Sequence, residues 1–185
     1  MRYDIIIVGS GPGGYVAAIR AAQLGKKTAL VERAEPGGVC LNWGCIPTKA
    51  LLKSAQVYGY CKNAEHYGLE LAGEVRPNLE AIVARSRSVA ETMSKGVRFL
   101  LKKNNIDLIP GFGRLIAPGR LDVDGVEYEA DHIVLATGAR PREMPFMPVD
   151  GEHVISSRQA LTLTPQPQKK KIVGSGANRS ELGGL

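Results

Sequence analysis

Tyr3-Asp4-Ile5-Ile6-Ile7-Val8-Gly9-Ser10-Gly11-Pro12-Gly13-Gly14 is the stretch on which the fold turns. Ile5 to Val8 form a continuous β-branched run without polar alternation, the pattern of a strand buried on both faces. Gly9, Gly11, Gly13 and Gly14, around Pro12, supply the turn that follows. A helix is predicted from about Pro12 to Leu24, where Ala17, Ala18, Ala21 and Ala22 offer small packing faces and Gly25 ends the run. Lys27 to Glu32 reads as a second strand. Strand, helix and strand in so short a stretch make a βαβ unit, hence a parallel pair joined by a right-handed crossover.

Gly9, Gly11 and Gly14 occupy the glycine places of a GxGxxG turn. The first permits the tight turn, the second lets a pyrophosphate approach the backbone, and the third lets helix pack closely on strand. The helix start then offers unpaired NH groups and the positive end of a dipole to phosphate. Glu32, at the end of the next strand, is placed to accept hydrogen bonds from an adenosine ribose. The expected architecture is a Rossmann-like α/β domain with a parallel sheet, and the turn suits FAD and NAD equally.

Working outward, a helical pattern runs from Cys45 to about Tyr60. A longer one runs from about Asn78 to Lys103, with Leu79, Ile82, Val83, Ser86, Ala90, Met93, Val97 and Leu100 as its packing stripe. Ile106 to Ile109 reads as a strand bounded by Pro110-Gly111. Leu115 to Tyr128 reads as a small antiparallel β-meander turning at Pro118-Gly119 and Asp124-Gly125. Asp131 to Ala136 is expected as another buried strand, followed by an extended segment marked by Pro141, Pro145 and Pro148. Pro165 to Lys171 reads as a linker.

The 185 residues carry 24 Lys and Arg against 18 Asp and Glu, a net charge of +6. These charges are interleaved, so a solvated surface is expected and no nucleic-acid partner. No stretch has the length of a membrane span or the organisation of a secretory signal, so a cytoplasmic protein is expected. The three cysteines are too few for a disulfide scaffold and fit a reducing compartment. Cys40 and Cys45 are spaced too widely for a CxxC motif and lack the companions of a zinc site. If the chain turns at Cys40 and enters a helix near Cys45, the helix start favours a thiolate there. Spacing alone leaves two readings open, a redox dithiol or two inert buried thiols. No metal site is expected.

The segment Gly37-Gly38-Val39-Cys40-Leu41-Asn42-Trp43-Gly44-Cys45-Ile46-Pro47-Thr48-Lys49-Ala50-Leu51-Leu52 resembles the redox-disulfide region of the pyridine nucleotide-disulfide oxidoreductases. Within that family it looks most like the dihydrolipoamide dehydrogenases, with mercuric reductases as close runners-up. Relatives that reduce glutathione or thioredoxin usually carry a second lysine where this chain has Thr48. The resemblance extends from Tyr3 to about Leu163 and includes Ile133 to Pro141, similar to the family's second flavin-domain signature.

The resemblance implies FAD as cofactor, with NAD as electron acceptor in a complete enzyme. It implies Cys45 as the thiol beside the flavin and Cys40 as the thiol that exchanges with substrate. Lys49 would lie near the flavin. Gly9, Gly11, Pro12, Gly13, Gly14, Glu32, Arg33, Gly38, Val39, Gly113, Ala136, Thr137 and Gly138 would complete the cofactor site. A lipoyl-bearing protein or small dithiol would be the substrate, and the complete enzyme a homodimer. Cys61 lies outside the motif and reads as a packed thiol. His66, His132 and His153 match no catalytic motif of the family and receive no role.

Near the end, Lys171-Ile172-Val173-Gly174-Ser175-Gly176-Ala177-Asn178-Arg179-Ser180-Glu181-Leu182 resembles the opening of a second dinucleotide fold. Arg179 stands where the third glycine belongs and Asn178 where an apolar residue is usual. Glu181 keeps the family position of a glutamate that pairs with Lys49. The expected organisation is therefore a flavin domain over residues 1–164, incomplete at its end, and over 165–185 a linker with a truncated start of an NAD domain. Such a fragment is expected to lack full dehydrogenase turnover.

Overall fold

The apolar run becomes β1 (Arg2–Val8) in the computed structural model, which describes residues 1–164, 167–174 and 176. β1 pairs in parallel with β2 (Thr28–Glu32), in the register Ile5 to Thr28 through Val8 to Val31, and α1 (Pro12–Gln23) is the crossover. Ile6, Ile7 and Leu30 are fully buried. Neighbours on both faces of both strands therefore have to be apolar, which removes the alternation of a half-exposed strand.

The sheet has six strands in the order β3 (Asp107–Pro110), β2, β1, β6 (Val126–Leu135), β5 (Arg120–Val123), β4 (Gly113–Ala117). β3, β2, β1 and β6 run parallel, and β6, β5 and β4 form the expected antiparallel meander. Asp124 and Gly125 both take positive φ between β5 and β6, the conformation of a type I′ hairpin. The core of the sheet joins Tyr3, Ile6, Val8, Ala29, Val31, Leu121, Val123 and Ala130. On either side of β1 lies a strand reached by a different route through the chain. The carboxyl ends of β1, β2 and β6 therefore flank the crevice where open α/β sheets bind ligands.

Three expectations change. The strand expected over Asp131 to Ala136 is the second half of β6, which continues out of the meander without a break. It is also less buried than expected, because Val134 and Leu135 are exposed. β5 stops pairing at Glu129, so beyond that point β6 has β1 as its sheet neighbour among the described residues. The long helix is α4 (Leu79–Lys103), but Met93 and Leu100 are exposed while Ser94 and Leu101 are buried. The buried side runs through Ser86, Ala90, Ser94, Val97 and Leu101, a helical progression that the expected stripe left at Ser94 for Met93. Lastly, Cys40 does not mark a turn, because it lies within α2 (Gly38–Trp43).

The chain forms two compact units: Met1–Asn42 with Glu91–Arg140, and Trp43–Ala90 with Pro141–Leu185. The first holds the whole sheet and α1. The second is built from α3 (Cys45–Lys62), a 3₁₀ turn over Ala64–Tyr67, the N-terminal half of α4, and α5 (Ser157–Ala160). Within it, Arg85 on α4 donates to the Ala50 carbonyl on α3 at 2.9 Å. A Ser156 and Gln159 capping box starts α5.

Candidate functional site

The glycine turn is held against the ends of the central strands by backbone bonds. Gly9 N donates to Val31 O at 2.8 Å, and Ala136 N donates to Val8 O at 2.8 Å. A Cβ on Gly9 would lie 2.3 Å from the Ala136 carbonyl oxygen, and one on Gly14 would lie 1.7 Å from the Gly9 carbonyl oxygen. Both glycines are thus required by the protein's own packing, as the first and third glycines of the motif should be.

Gly11 differs. It is the N-cap of α1 with φ −62° and ψ −179°, a conformation open to any residue, and a Cβ there meets no protein atom within 4 Å. Neither backbone nor packing asks for glycine at 11. Gly11 caps the N-terminus of α1, the kind of position where a pyrophosphate can come close to helix amides. The residues present therefore fit a dinucleotide such as FAD. Pro12 and Gly13 open α1 beside it, both exposed, and Gly38 rests on the turn, with Gly11 Cα 2.7 Å from where its Cβ would be.

Glu32 closes the cradle at the end of β2. One oxygen, Oε2, accepts from the amide and the hydroxyl of Ser10 at 2.9 and 2.6 Å, and Oε1 accepts from the Ala34 amide at 2.9 Å. Half-burial alone would raise its pKa. The donors outweigh that: the Ser10 hydroxyl first, then the amides of Ser10, Ala34 and Arg33, hold the carboxyl below its ordinary value. Glu32 is therefore a carboxylate at neutral pH and able to accept from a ribose. Arg33 is exposed, with its guanidinium 5.8 Å from the centre of the Phe112 ring. Gly113 in β4 lies beside the tips of Val8 and Val31, and Ala136, Thr137 and Gly138 follow β6, with Thr137 within 3.2 Å of the Gly9 Cβ position.

Val39 is exposed and Cys40 half-buried on α2. In the second unit, Cys45 is an exposed thiol that opens α3, and Lys49 is exposed one turn along the same helix. Cys61 is half-buried near the end of α3, outside the motif as expected. The altered dinucleotide turn, including Ser175, Ala177, Asn178, Arg179 and Glu181, lies outside the described residues, as do Pro165 and Gln166 of the linker.

Four contributors escaped the sequence reading. Ser10 ties Glu32 to the turn. The side-chain amide of Asn42, buried in α2, donates to the carbonyls of Pro36 and Gly38 at 3.1 and 3.0 Å. Ser94 of α4 donates to the Pro36 carbonyl at 2.7 Å, so the segment before Cys40 is tied down by side chains distant in sequence. In the second unit two guanidiniums, those of Arg87 and Arg158, lie over the Trp43 ring, each 4.0 Å from the ring centre. The signal for Asn42 and Trp43 was their place inside the cysteine segment, whereas Ser10 and Ser94 carried none.

A mixed sheet whose carboxyl edge carries a glycine turn and an ionised glutamate defines a dinucleotide-binding α/β protein. Known proteins narrow this. The family model for pyridine nucleotide-disulphide oxidoreductases matches residues 3–184, and the chain belongs to that family. It is 48% identical over 195 residues to a dihydrolipoyl dehydrogenase of Rhizobium etli, covering 95% of this chain and 40% of the relative. It is 46% identical to one of Bacillus subtilis, covering 95% and 40%, and 42% identical to one of Trypanosoma brucei brucei, covering 99% and 40%. The crystal structure of LpdA from Mycobacterium tuberculosis superposes with a TM-score of 0.78 at 32% identity, covering 88% of this chain and 37% of that one. The chain thus spans about two fifths of the length of these relatives. Among the described residues, no helix is long and apolar enough to cross a membrane, and no group of three or more His, Cys, Asp or Glu is placed to hold a metal.

Proposed function

We propose that this chain is the FAD-binding, redox-dithiol part of a dihydrolipoyl dehydrogenase, with residues 1–164 as the flavin domain and 165–185 as a linker and the opening of an NAD-binding domain. The observation that carries the reading is the cradle itself: Gly11 is a glycine that neither its backbone conformation nor any protein contact requires, and Glu32 is held ionised next to the turn. The relatives' names and the cysteine segment support the dithiol chemistry.

In this reading Gly11 and the first turn of α1 would receive the pyrophosphate, Glu32 would accept from the adenosine ribose, and the backbone at Gly113 would lie near the adenine. A bound FAD would supply the two-electron chemistry that links the dithiol to NAD. Cys40 and Cys45 begin as a disulfide. A thiolate of the dihydrolipoyl group attacks Cys40 Sγ, forms a mixed disulfide there and releases Cys45 as thiolate. The second substrate thiol then displaces Cys40, leaving an oxidised lipoyl group and a reduced cysteine pair. Cys45 opens α3 and is exposed, so its sulfur is accessible to this exchange. Lys49, exposed on the same helix, supplies positive charge toward the reduced cofactor. The substrate is a lipoyl-bearing protein or small dithiol, the working assembly a homodimer, and the compartment the reducing cytoplasm.

The absorption spectrum of the purified chain, before and after dithionite, tests this. Bound yellow cofactor, with a spectrum of the reduced form that changes in Cys45→Ser, is the expected result. No retained flavin sinks the cofactor assignment. A flavin spectrum indifferent to Cys45→Ser reduces the chain to a binding module without dithiol chemistry.

A further inference from the structure

Ser10 lies between the first two glycines of the turn and is fully buried. Its hydroxyl donates to Glu32 Oε2 at 2.6 Å and accepts from the Gly37 amide at 3.2 Å. Its amide donates to the same Glu32 oxygen at 2.9 Å, and its carbonyl accepts from Gly37 N at 3.0 Å. One residue thus commits its three polar groups to joining the turn, the end of β2 and the segment that enters α2.

We propose that Ser10 is the positioning residue of the dinucleotide cradle, its hydroxyl fixing the Glu32 carboxylate in the orientation that receives the ribose. The geometry gives the reason. A glutamate side chain at a strand end turns about three bonds, and a single donor restrains one oxygen without fixing the plane of the carboxylate. Two donors from one buried residue on Oε2, opposed by the Ala34 amide on Oε1, fix that plane. The GxGxxG pattern asks nothing of the residue at position 10, so glycine or alanine would satisfy the motif and keep only the amide. Ser10 acts on the ligand through Glu32 and does not need to touch it.

This inference rests on the cradle being an FAD site only for its affinity measurement. The variants are Ser10→Ala, Glu32→Ala and the pair, with Ser10→Cys as a near-isosteric weak donor in case the alanine variant folds poorly by circular dichroism. In the ligand-free chain, carbon-detected NMR follows the titration of Glu32, which is expected to move up toward the ordinary carboxylate range in Ser10→Ala and in Ser10→Cys. FAD titration is expected to weaken about tenfold in Ser10→Ala, the size of one charge-assisted hydrogen bond. The same change made beside Glu32→Ala should alter affinity by less than about twofold, because the group it acts through is gone. An unmoved Glu32 titration, an equal loss in both backgrounds, or tighter binding by Ser10→Ala would overturn the proposal. If the native chain binds no FAD, the cofactor reading fails while the Glu32 titration still decides the role of Ser10.

Discussion

Gly11→Ala should separate folding from ligand binding, which the neighbouring glycines cannot do. Two small effects on stability oppose each other. Alanine restricts the unfolded chain, which stabilises a compatible site by about 0.4 to 1 kcal/mol. It is also a poorer N-cap than glycine, at a cost of about 0.5 to 1 kcal/mol. Since φ and ψ at 11 suit alanine and its Cβ meets nothing within 4 Å, no steric cost is added. The net change is therefore within about 1 kcal/mol of zero. Ligand binding has no such cancellation, because the methyl group occupies the approach to the first amides of α1. Loss of one or two charge-assisted hydrogen bonds at about 1.5 kcal/mol or more each weakens FAD by roughly 10- to 100-fold or more. Gly14→Ala provides the contrast, since its Cβ would stand 1.7 Å from a backbone oxygen and the turn has to open, at about 3 kcal/mol or more. Urea unfolding of the ligand-free variants measures the first quantity, and FAD titration the second. A Gly11→Ala chain that loses stability as Gly14→Ala does, or that binds FAD as the native chain does, would refute the assignment of Gly11 to the ligand.

Other expectations follow from single contacts. Burial, then the hydrogen bond to Asp107, pushes the Tyr3 phenol up to about 12 from 10.0. A raised acid contributes stability that is complete below its unfolded value and lost as pH rises, so urea midpoints should fall between about pH 10 and 12 and fall less steeply in Tyr3→Phe. Glu32 has the opposite sign: its depressed value contributes stability above the ordinary carboxylate range that is lost on acidification through the folded value, and Glu32→Gln should flatten that limb of the stability profile. Trp43 is the chain's one tryptophan, so Arg158→Ala, which removes one of the two guanidiniums over the indole, should red-shift emission and increase acrylamide quenching. Stability should fall by about 0.5 to 1 kcal/mol, the range of an exposed cation–π contact. Emission unchanged from the native chain would exclude the contact. Cys45, exposed, should react with iodoacetamide faster than half-buried Cys61, as peptide mapping would show.

The βαβ unit, the meander and both long helices were legible in the sequence because each depends on local information. The period of apolar residues separates strand from helix, and glycine and proline mark where the chain turns. The glycine turn was legible for a related reason: glycine is read from what it lacks, and the spacing of the motif is itself a local pattern. The exposed end of β6 was not, since Ile133, Val134 and Leu135 carry the same apolar signal whether or not a strand lies beside them. Nor was the buried face of α4, where Ser94 is selected by a carbonyl at Pro36 and not by hydrophobicity.

The sequence alone marked the glycine turn proposed to bind a dinucleotide and the cysteine segment that resembles the family's dithiol. Tertiary structure decided why Gly9 is there, because the Ala136 carbonyl is brought against it only by folding, whereas Gly14 is required by the Gly9 carbonyl of the same turn and Gly11 by no protein atom. It also decided the state of Glu32. A carboxylate's charge depends on the donors around it, and Ser10 reaches it across a crossover helix and a strand, a distance in the chain that no local pattern spans.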